Sequence, residues 1–353
     1  MSTTQAAPSP YLAVREDWLD LHHEPILEPA LPIIDPHHHL WDRPDWRYMP
    51  RDLLADLRSG HNIVSTVYID CMSRYRVDGP EEFRPVGETE FVVAETAKLK
   101  KDGFAPCAGI VGWADLLLGD QVQPVLEQQI EAGQGRFRGV RTRAAWHEHP
   151  MLRPSGQSFA GMLLDPSLQR GVKKLGALGL SLDVWVYHPQ LKDVGFLAAA
   201  CPDTTLVLDH CGAPLGIGPF SGQRDEVFQN WRNDIKALAA HGNIVVKLGG
   251  LAMPRCGFGF HEAEMPATSE MLATAWTPYF DALIEAFGTE RCMFESNFPV
   301  DKAVCSYVVL WNAFKRATSA YSEDERQALF SATAASTYRI EHTRAPARLA
   351  RTV

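Results

Sequence analysis

Eight short apolar segments recur along the chain, and longer segments with helical spacing of apolar residues lie between them. The predicted strands are Leu31–Asp35, Ile63–Asp70, Cys107–Gly112, Phe137–Arg141, Ser181–Val186, Thr205–Leu208, Ile244–Leu248 and Cys292–Glu295. The predicted helices include Thr89–Lys101, Gln121–Ala132, Ser167–Leu178, Gln190–Ala200, Val227–Ala240 and Leu272–Phe287. Because strand and helix alternate, the pattern predicts parallel βαβ units, and eight such units form a single (β/α)8 TIM barrel of the α/β class. A doubly wound open sheet is the main alternative, but no GxGxxG motif follows the first strand.

Several connections of this predicted barrel are long. They are Cys71–Glu88, Ala144–Pro166, Cys211–Asp225 and Ala252–Ser269. Extended βα loops of this kind lie at the carboxyl ends of the strands, where barrels of this class have their active sites. The loops are therefore expected either to cover a substrate or to be purely structural.

The composition is that of a globular protein. Of the 353 residues, 46% are hydrophobic and 22% are charged, and the net charge is -9. No Lys/Arg block is present, which argues against binding to nucleic acid or to an anionic membrane surface. Seven cysteines form no CxxC pair, which argues against a zinc ribbon or a disulfide framework. No apolar stretch approaches the ~20 residues that span a bilayer, and the first residues lack the features of a secretory signal, so a cytoplasmic protein is expected.

The chain is predicted to contain one globular domain with short flanking segments. We predict an N-terminal tail and lead-in over residues 1–24, the barrel over residues 25–340 and a C-terminal tail over residues 341–353. No internal repeat and no low-complexity linker interrupts the barrel segment.

The first predicted strand runs directly into three histidines, His37, His38 and His39. Side chains alternate along a strand, so His37 and His39 are expected to point to one side and His38 to the other. Two imidazoles at this spacing can bind one metal ion or flank one substrate. The alternative is a proline-terminated edge strand with histidines exposed to solvent.

Polar side chains also follow the other predicted strands. They are Arg141 and Arg143 after strand four, His188 after strand five, His210 after strand six, Lys247 in strand seven, and Glu295, Asn297 and Asp301 after strand eight. Each one has a structural alternative when taken alone, such as a capping role for His188 or a snorkelling side chain for Lys247. Together they predict an active site at the carboxyl ends of the strands.

At these positions the chain resembles the amidohydrolase superfamily, and in particular its lactonase-like amidohydrolase family 2. The resemblance lies in Asp35-Pro-His-His-His-Leu-Trp-Asp42, in Leu208-Asp-His-Cys-Gly212 and in Met293-Phe-Glu-Ser-Asn-Phe-Pro299, and it extends over residues 31–339. It implies a TIM-barrel hydrolase with His37 and His39 in the first-strand HxH motif.

The chain departs from the superfamily pattern in two places. Asn297 stands where the superfamily has an aspartate that acts as general base, and an amide cannot take up a proton at neutral pH. Glu295 replaces the glycine two residues earlier, so either Glu295 or Asp301 is expected to supply the missing carboxylate. The strand-four segment with Arg141 and Arg143 has no lysine to become a carbamylated bridging ligand, which argues against a binuclear metal centre.

The resemblance therefore leaves two expectations for the chemistry. One is a single divalent ion, zinc, held by His37 and His39 together with Glu295 or His210, which would activate a water molecule. The other is a metal-free site in which His188, His210 and the arginines stabilise the developing oxyanion.

The expected substrate is a small anion. Arg141, Arg143 and Lys247 form a positive patch in an acidic protein, and a guanidinium group binds a carboxylate in two-point fashion. We expect hydrolysis of a carboxylated lactone or a similar cyclic ester. The alternatives are non-oxidative decarboxylation of an aromatic or unsaturated acid, and a barrel that binds a small acid without turnover. Related barrels often associate, so a homo-oligomer is compatible with the resemblance.

Overall fold

The computed structural model describes residues 12–42, 46–97, 99, 105–153 and 157–341. The predicted N-terminal tail is described only from residue 12, and the predicted C-terminal tail over residues 341–353 lies outside the described residues except for Glu341. The lead-in contains a short helix, α1 (Glu16–Leu19), and the indole nitrogen of Trp18 donates to the carbonyl of Glu264 at 3.0 Å. No helix within the described residues is long and apolar enough to cross a membrane.

Eight parallel strands form one sheet in which spatial order follows chain order. They are β1 (Pro32–His38), β2 (Asn62–Ile69), β3 (Ala105–Gly112), β4 (Phe137–Arg143), β5 (Ser181–Trp185), β6 (Leu206–Leu208), β7 (Ile244–Leu248) and β8 (Cys292–Phe294). The two edges of the sheet meet just after β8, because Asn297 N donates to His37 O at 2.9 Å and His39 N donates to Phe298 O at 2.8 Å. The predicted (β/α)8 barrel is confirmed.

Helices connect the strands on the outside of the barrel. They are α2 (Pro50–Leu57), α3 (Val86–Ala97), α4 (Gln123–Ala132), α5 (Pro166–Ala177), α6 (Leu191–Ala200), α7 (Arg224–Leu238), α8 (Ser269–Phe287) and α9 (Tyr307–Ala317), followed by α10 (Glu323–Gln327) and α11 (Thr333–Thr337). Side chains of Asp165, Thr268 and Ser306 accept hydrogen bonds from the first turns of α5, α8 and α9, which explains where these helices begin. The six predicted helices are present, and α2, α9, α10 and α11 are additional to them.

The strands are apolar on both faces because both faces are buried. Inside the barrel, residues such as Ile34, Val67 and Met293 form one packed layer, against which Tyr338 and Ile340 also pack. A larger apolar cluster fills the space between the strands and the surrounding helices. This double burial explains why the strands read as continuous apolar runs rather than as alternating patterns.

Strand β1 extends further than its apolar run predicts. Its pairing with β2 continues beyond Asp35, with an irregularity in register, and His38 still faces Tyr68. The histidine segment is therefore part of the barrel wall, so the ring positions of the three histidines are fixed by strand pairing.

Candidate active site

A cavity of about 240 Å³ opens at the carboxyl ends of the strands. Its charged and polar lining includes His39, Arg141, Arg143, Arg153, Arg255, His210 and Asn297. Its apolar lining includes Trp41, Met72, Trp185, Tyr187 and Met253. The position matches the usual place of active sites in this barrel class.

Glu295 lies below this cavity and contacts two histidines. Its Oε1 accepts hydrogen bonds from Nδ1 of His210 at 2.6 Å and from the backbone N of His210 at 3.0 Å. Its Oε2 lies 2.8 Å from Nδ1 of His37. Burial alone would raise the pKa of Glu295, but the two histidines lower it well below its usual value, so the side chain is a carboxylate. Because Glu295 is fully buried, it does not itself reach a molecule in the cavity.

The contact with Glu295 determines how His210 faces the cavity. A carboxylate only accepts hydrogen bonds, so Nδ1 of His210 carries the proton and Nε2 presents its lone pair. His210 lines the cavity, and none of the described residues forms a hydrogen bond with its Nε2. This arrangement of carboxylate, imidazole and open cavity is that of an oriented general base.

Two glycines after β7 allow His210 and Glu295 to come this close. His210 follows β6 with a positive φ of 56°, a left-handed conformation that side chains rarely adopt. A Cβ atom on Gly250 would lie 2.6 Å from the ring of His210, and a Cβ atom on Gly249 would collide with the side chain of Glu295. The Gly249-Gly250 pair is therefore required by the close approach of these two side chains.

The Lys247 ammonium group lies deeper in the barrel and is fully buried. Its Nζ lies 2.6 Å from Asp183 Oδ2, 3.0 Å from Asp209 Oδ1 and 3.1 Å from Nδ1 of His37. Burial opposes the charged form, but the two carboxylates raise the pKa of Lys247 above its usual value. Lys247 was predicted to contact the substrate, but it does not line the cavity. Its charge is paired with carboxylates inside the barrel.

His37 is held between two cations of the chain. Lys247 contacts its Nδ1, and Nη1 of Arg141 lies 3.5 Å from its Nε2. Burial, followed by the charge of Lys247, lowers the pKa of His37 well below its usual value. His37 is therefore a neutral ring in the wall between the buried network and the cavity.

Arg141 and Arg143 share one buried carboxylate, Asp70, which follows β2. Arg141 donates from Nε to Asp70 Oδ1 at 2.9 Å, and Arg143 donates from Nη1 to Asp70 Oδ2 at 2.8 Å. Burial would lower the pKa of Arg143, but Asp70 raises it. Both guanidinium groups line the cavity with fixed orientation.

The other two histidines of the first strand lie on opposite sides of the wall, as their spacing predicts. His39 lines the cavity, and its Nδ1 donates to the carbonyl of Ile69 at 2.8 Å, which leaves the lone pair on Nε2. His38 instead lies 2.9 Å from the hydroxyl of Thr66, and burial lowers its pKa to about 3. His38 is a structural residue of the barrel wall.

Asn297 and Asp301 form a pair after β8. Asn297 lines the cavity with a φ of 53°, and its Nδ2 donates to Asp301 Oδ1 at 2.8 Å. Asp301 is only 1% exposed, and burial raises its pKa to about 7. Asp301 therefore orients the amide of Asn297 and does not line the cavity.

His188 lies in a short 3-10 turn after β5, apart from the other site residues. Its Nδ1 accepts a hydrogen bond from the backbone N of Leu215 at 3.2 Å, and its ring contacts Phe220 at a centroid distance of 4.9 Å. Burial lowers its pKa to about 4. The structure thus gives His188 a loop-packing role, whereas Trp185 and Tyr187 of the same segment line the cavity.

Four further charged residues lie at the site, although the sequence assigned none of them a role. Asp70, Asp183 and Asp209 lie in or directly after apolar strands, and an aspartate in such a run is the signal that marks them. Arg255 lies in the loop after β7, where no pattern indicates a role. Its Nη1 donates to the hydroxyl of Tyr187 at 2.5 Å, and its guanidinium lies 5.1 Å from the ring of Trp185.

Metal-type donors are present, but cations of the chain already contact two of them, His37 and Asp209. Ligand atoms of His37, Asp209 and His210 lie within 4.8 Å of one another, and zinc uses such donors. A zinc ion bound to His37 and Asp209 would lie about 4 Å or less from the Lys247 ammonium, given zinc bond lengths of about 2 Å. At the HxH pair, the guanidinium of Arg141 faces His37. A divalent ion at His37 and Asp209 would therefore meet the charge of Lys247, and one at Nε2 of His37 would meet Arg141, whereas Nε2 of His39 and Nε2 of His210 face the cavity.

Comparison with known families agrees with this geometry. The amidohydrolase family model matches residues 34–340. The chain belongs to the amidohydrolase family. The resemblance drawn from the strand-end motifs is confirmed, and hydrolase activity is supported at the level of the family.

Two relatives of this amidohydrolase are matched over nearly their whole length. It is 33% identical over 332 residues to y4mH, an uncharacterized protein of Sinorhizobium fredii, covering 87% of this chain and 98% of that one. It is 28% identical over 320 residues to an L-fucono-1,5-lactonase of Burkholderia multivorans, covering 86% and 95% of the two chains. A solved amidohydrolase of Burkholderia multivorans with bound zinc is 25% identical, with a TM-score of 0.68 and coverage of 88% and 99%.

Proposed function

We propose that this amidohydrolase opens a lactone or a similar cyclic ester by attack of water, with His210 as the general base. The observation that carries the proposal is the 2.6 Å hydrogen bond between Nδ1 of His210 and the buried Glu295 carboxylate, which leaves Nε2 facing the cavity. The similarity to an L-fucono-1,5-lactonase supports this choice of substrate class.

In the proposed reaction, Nε2 of His210 takes a proton from water as the water oxygen bonds to the lactone carbonyl carbon. The imidazolium that forms is balanced by Glu295, which acts as a positioning and charge-balancing residue. When the ring C–O bond breaks, His210 returns the proton to the leaving alkoxide. The product is an open-chain hydroxy acid, and the base is regenerated.

The arginines stabilise the oxyanion of the tetrahedral intermediate. Arg141 and Arg143 line the cavity beside His210, and Asp70 fixes both groups before the substrate arrives. Fixed cations that face the developing charge stabilise a transition state without reorganisation. Asn297 contributes a neutral amide at the place where the superfamily has an aspartate, so the base function moves from strand eight to His210.

We further propose that the substrate is a small anion and that Arg255 is its principal carboxylate contact. The charges of Arg141 and Arg143 are shared with Asp70, whereas the guanidinium of Arg255 contacts the hydroxyl of Tyr187 and the rings of Trp185 and Tyr187. A substrate carboxylate would supply the negative charge that this corner of the cavity lacks.

We propose that Lys247, rather than zinc, supplies the buried positive charge of this site. A zinc ion at the expected ligand His37 would compete with Lys247, which also occupies the neighbouring donor Asp209. The proposed steps use only side chains of the chain, and the relative with bound zinc makes a direct metal analysis of the purified protein necessary.

A lactone panel read with a pH indicator tests the proposed function. Ring opening releases acid, and we expect turnover by the wild type and a loss of at least about a thousandfold in His210→Asn. A Phe196→Ala variant on the outer face of α6 should keep full activity, because Phe196 is 64% exposed and lies away from the cavity lining. Consumption of protons with release of CO2 from aromatic acids would favour a decarboxylase instead, and binding without any turnover would leave a non-catalytic barrel.

A further inference from the structure

A second chamber of about 460 Å³ adjoins the catalytic cavity and is nearly twice its volume. The two spaces share three lining residues, Met72, Arg143 and Trp185. The chamber is bounded by the loops that follow β2, β3 and β4, so it opens at the same end of the barrel. A molecule bound at His210 can therefore extend past Arg143 into this side chamber.

The walls of the side chamber are aromatic and apolar. Tyr75 and Trp113 lie with ring centroids 6.3 Å apart and planes inclined by 27°. Leu116, Leu118 and Met162 complete the apolar surface. A third ring between Tyr75 and Trp113 would need about 7 Å, twice a carbon contact distance, so a flat group would stack against this pair rather than insert into it.

The charged groups of the side chamber disfavour a second anion. Glu81 and Glu82 are exposed at its rim, and Asp115 is half-buried with its carboxylate accepting from Leu117 N at 3.0 Å. Arg84 and Arg143 partly offset these carboxylates, and the charge of Arg143 is already shared with Asp70. The group that enters the chamber is therefore uncharged, and the anionic end of the substrate stays in the catalytic cavity.

We propose that the side chamber binds a flat, uncharged aromatic substituent carried on the lactone ring. The inference rests on the proposed function and narrows its substrate class to lactones with an aromatic substituent. A lactone without such a substituent would leave the side chamber filled with water. Burial of one phenyl group against this surface should raise kcat/KM by about tenfold to a hundredfold.

Two lactones with the same ring test this directly. γ-Phenyl-γ-butyrolactone and γ-methyl-γ-butyrolactone differ only in the arm, and the wild type should prefer the phenyl compound by at least about tenfold in kcat/KM. Trp113→Ala should remove most of that preference and leave the methyl compound within about twofold, and Phe196→Ala should change neither value. Equal kcat/KM for the two lactones, or an equal loss for both in Trp113→Ala, would overturn the proposal.

A chamber-filling variant and a binding measurement keep the two proposals separate. Leu118→Trp should block the phenyl compound and spare the methyl compound, even if Trp113→Ala folds poorly. Calorimetry with the phenyl-substituted butyrolactam, which has an amide in place of the ester, measures binding without turnover. If the lactam binds, Leu118→Trp abolishes that binding and no lactone is hydrolysed, the side-chamber proposal is upheld and the proposed function is rejected. If lactones are hydrolysed and the phenyl substituent does not change kcat/KM, the proposed function stands and the side-chamber proposal is rejected.

Discussion

Replacing Glu295 by glutamine removes one negative charge from the centre of the site while keeping the size and shape of the side chain. Glu295 is fully buried, and its two oxygens contact His210 and His37. In the variant the amide oxygen can still accept one hydrogen bond from His210. What is lost is the charge that balances the imidazolium of the transition state.

The size of the effect follows from the short contact. Two unit charges roughly 4 Å apart interact by about 4 kcal/mol at an effective dielectric constant of about 20. A loss of about 4 kcal/mol in the transition state lowers kcat about a thousandfold. KM should change by less than about threefold, because Glu295 does not reach the cavity and the substrate-bound ground state carries no imidazolium.

Steady-state hydrolysis of a lactone by Glu295→Gln, His210→Asn and the double variant measures this. If Glu295 acts only through His210, the double variant should be no slower than His210→Asn alone, because residues that act as one unit are not additive. Glu24→Gln provides a matched control, since Glu24 accepts hydrogen bonds from Ser269 and Asn312 far from the cavity. A decrease in kcat of less than tenfold in Glu295→Gln, or full additivity in the double variant, would refute the reasoning.

Three further predictions concern charge and metal. Lys247→Met leaves Asp183 and Asp209 buried without a counter-charge, so urea unfolding should show a loss of about 3–5 kcal/mol, and an unchanged midpoint would contradict the buried ion pairs. Asp301→Asn tests a raised carboxyl pKa. Because burial raises the pKa of Asp301 from 3.8 to about 7, the folded wild type keeps its proton to higher pH than the unfolded chain. Wild-type stability relative to the variant should therefore be greatest below about pH 4 and fall as pH rises through 7, by at most about 4 kcal/mol, and a flat difference across this range would exclude the shift. Dialysis against a chelator should leave lactone hydrolysis unchanged, and elemental analysis should find no stoichiometric zinc; loss of activity that zinc restores would show that a metal does act at this site.

The barrel was predictable because each strand is a continuous apolar run, buried on both faces. Where the prediction fell short, other forces set the structure. Strand β1 continues through Pro36 to His38, since pairing with β2 and contact with the segment after β8 hold polar residues in an extended conformation.

The site was only partly predictable, because motifs identify residues but not their partners. His210 and Glu295 come from motifs 85 residues apart, and only the fold shows that one orients the other. Lys247 reads as a cavity residue in sequence, yet its partners Asp183 and Asp209 draw it into the barrel. His188 follows a strand as a catalytic histidine would, but a 3-10 turn directs its ring toward Phe220.

The buried ion network also links the proposed catalytic site to closure of the barrel. Asp183, Asp209, Lys247 and Glu295 come from the second half of the chain, and His37 is contributed by the first strand across the seam. A half-barrel fragment would have to hold these charges against incomplete packing, with water in the place of the closing strand. In such a fragment Oε2 of Glu295 would lack its His37 partner, and it gains that contact only when the first and last strands meet.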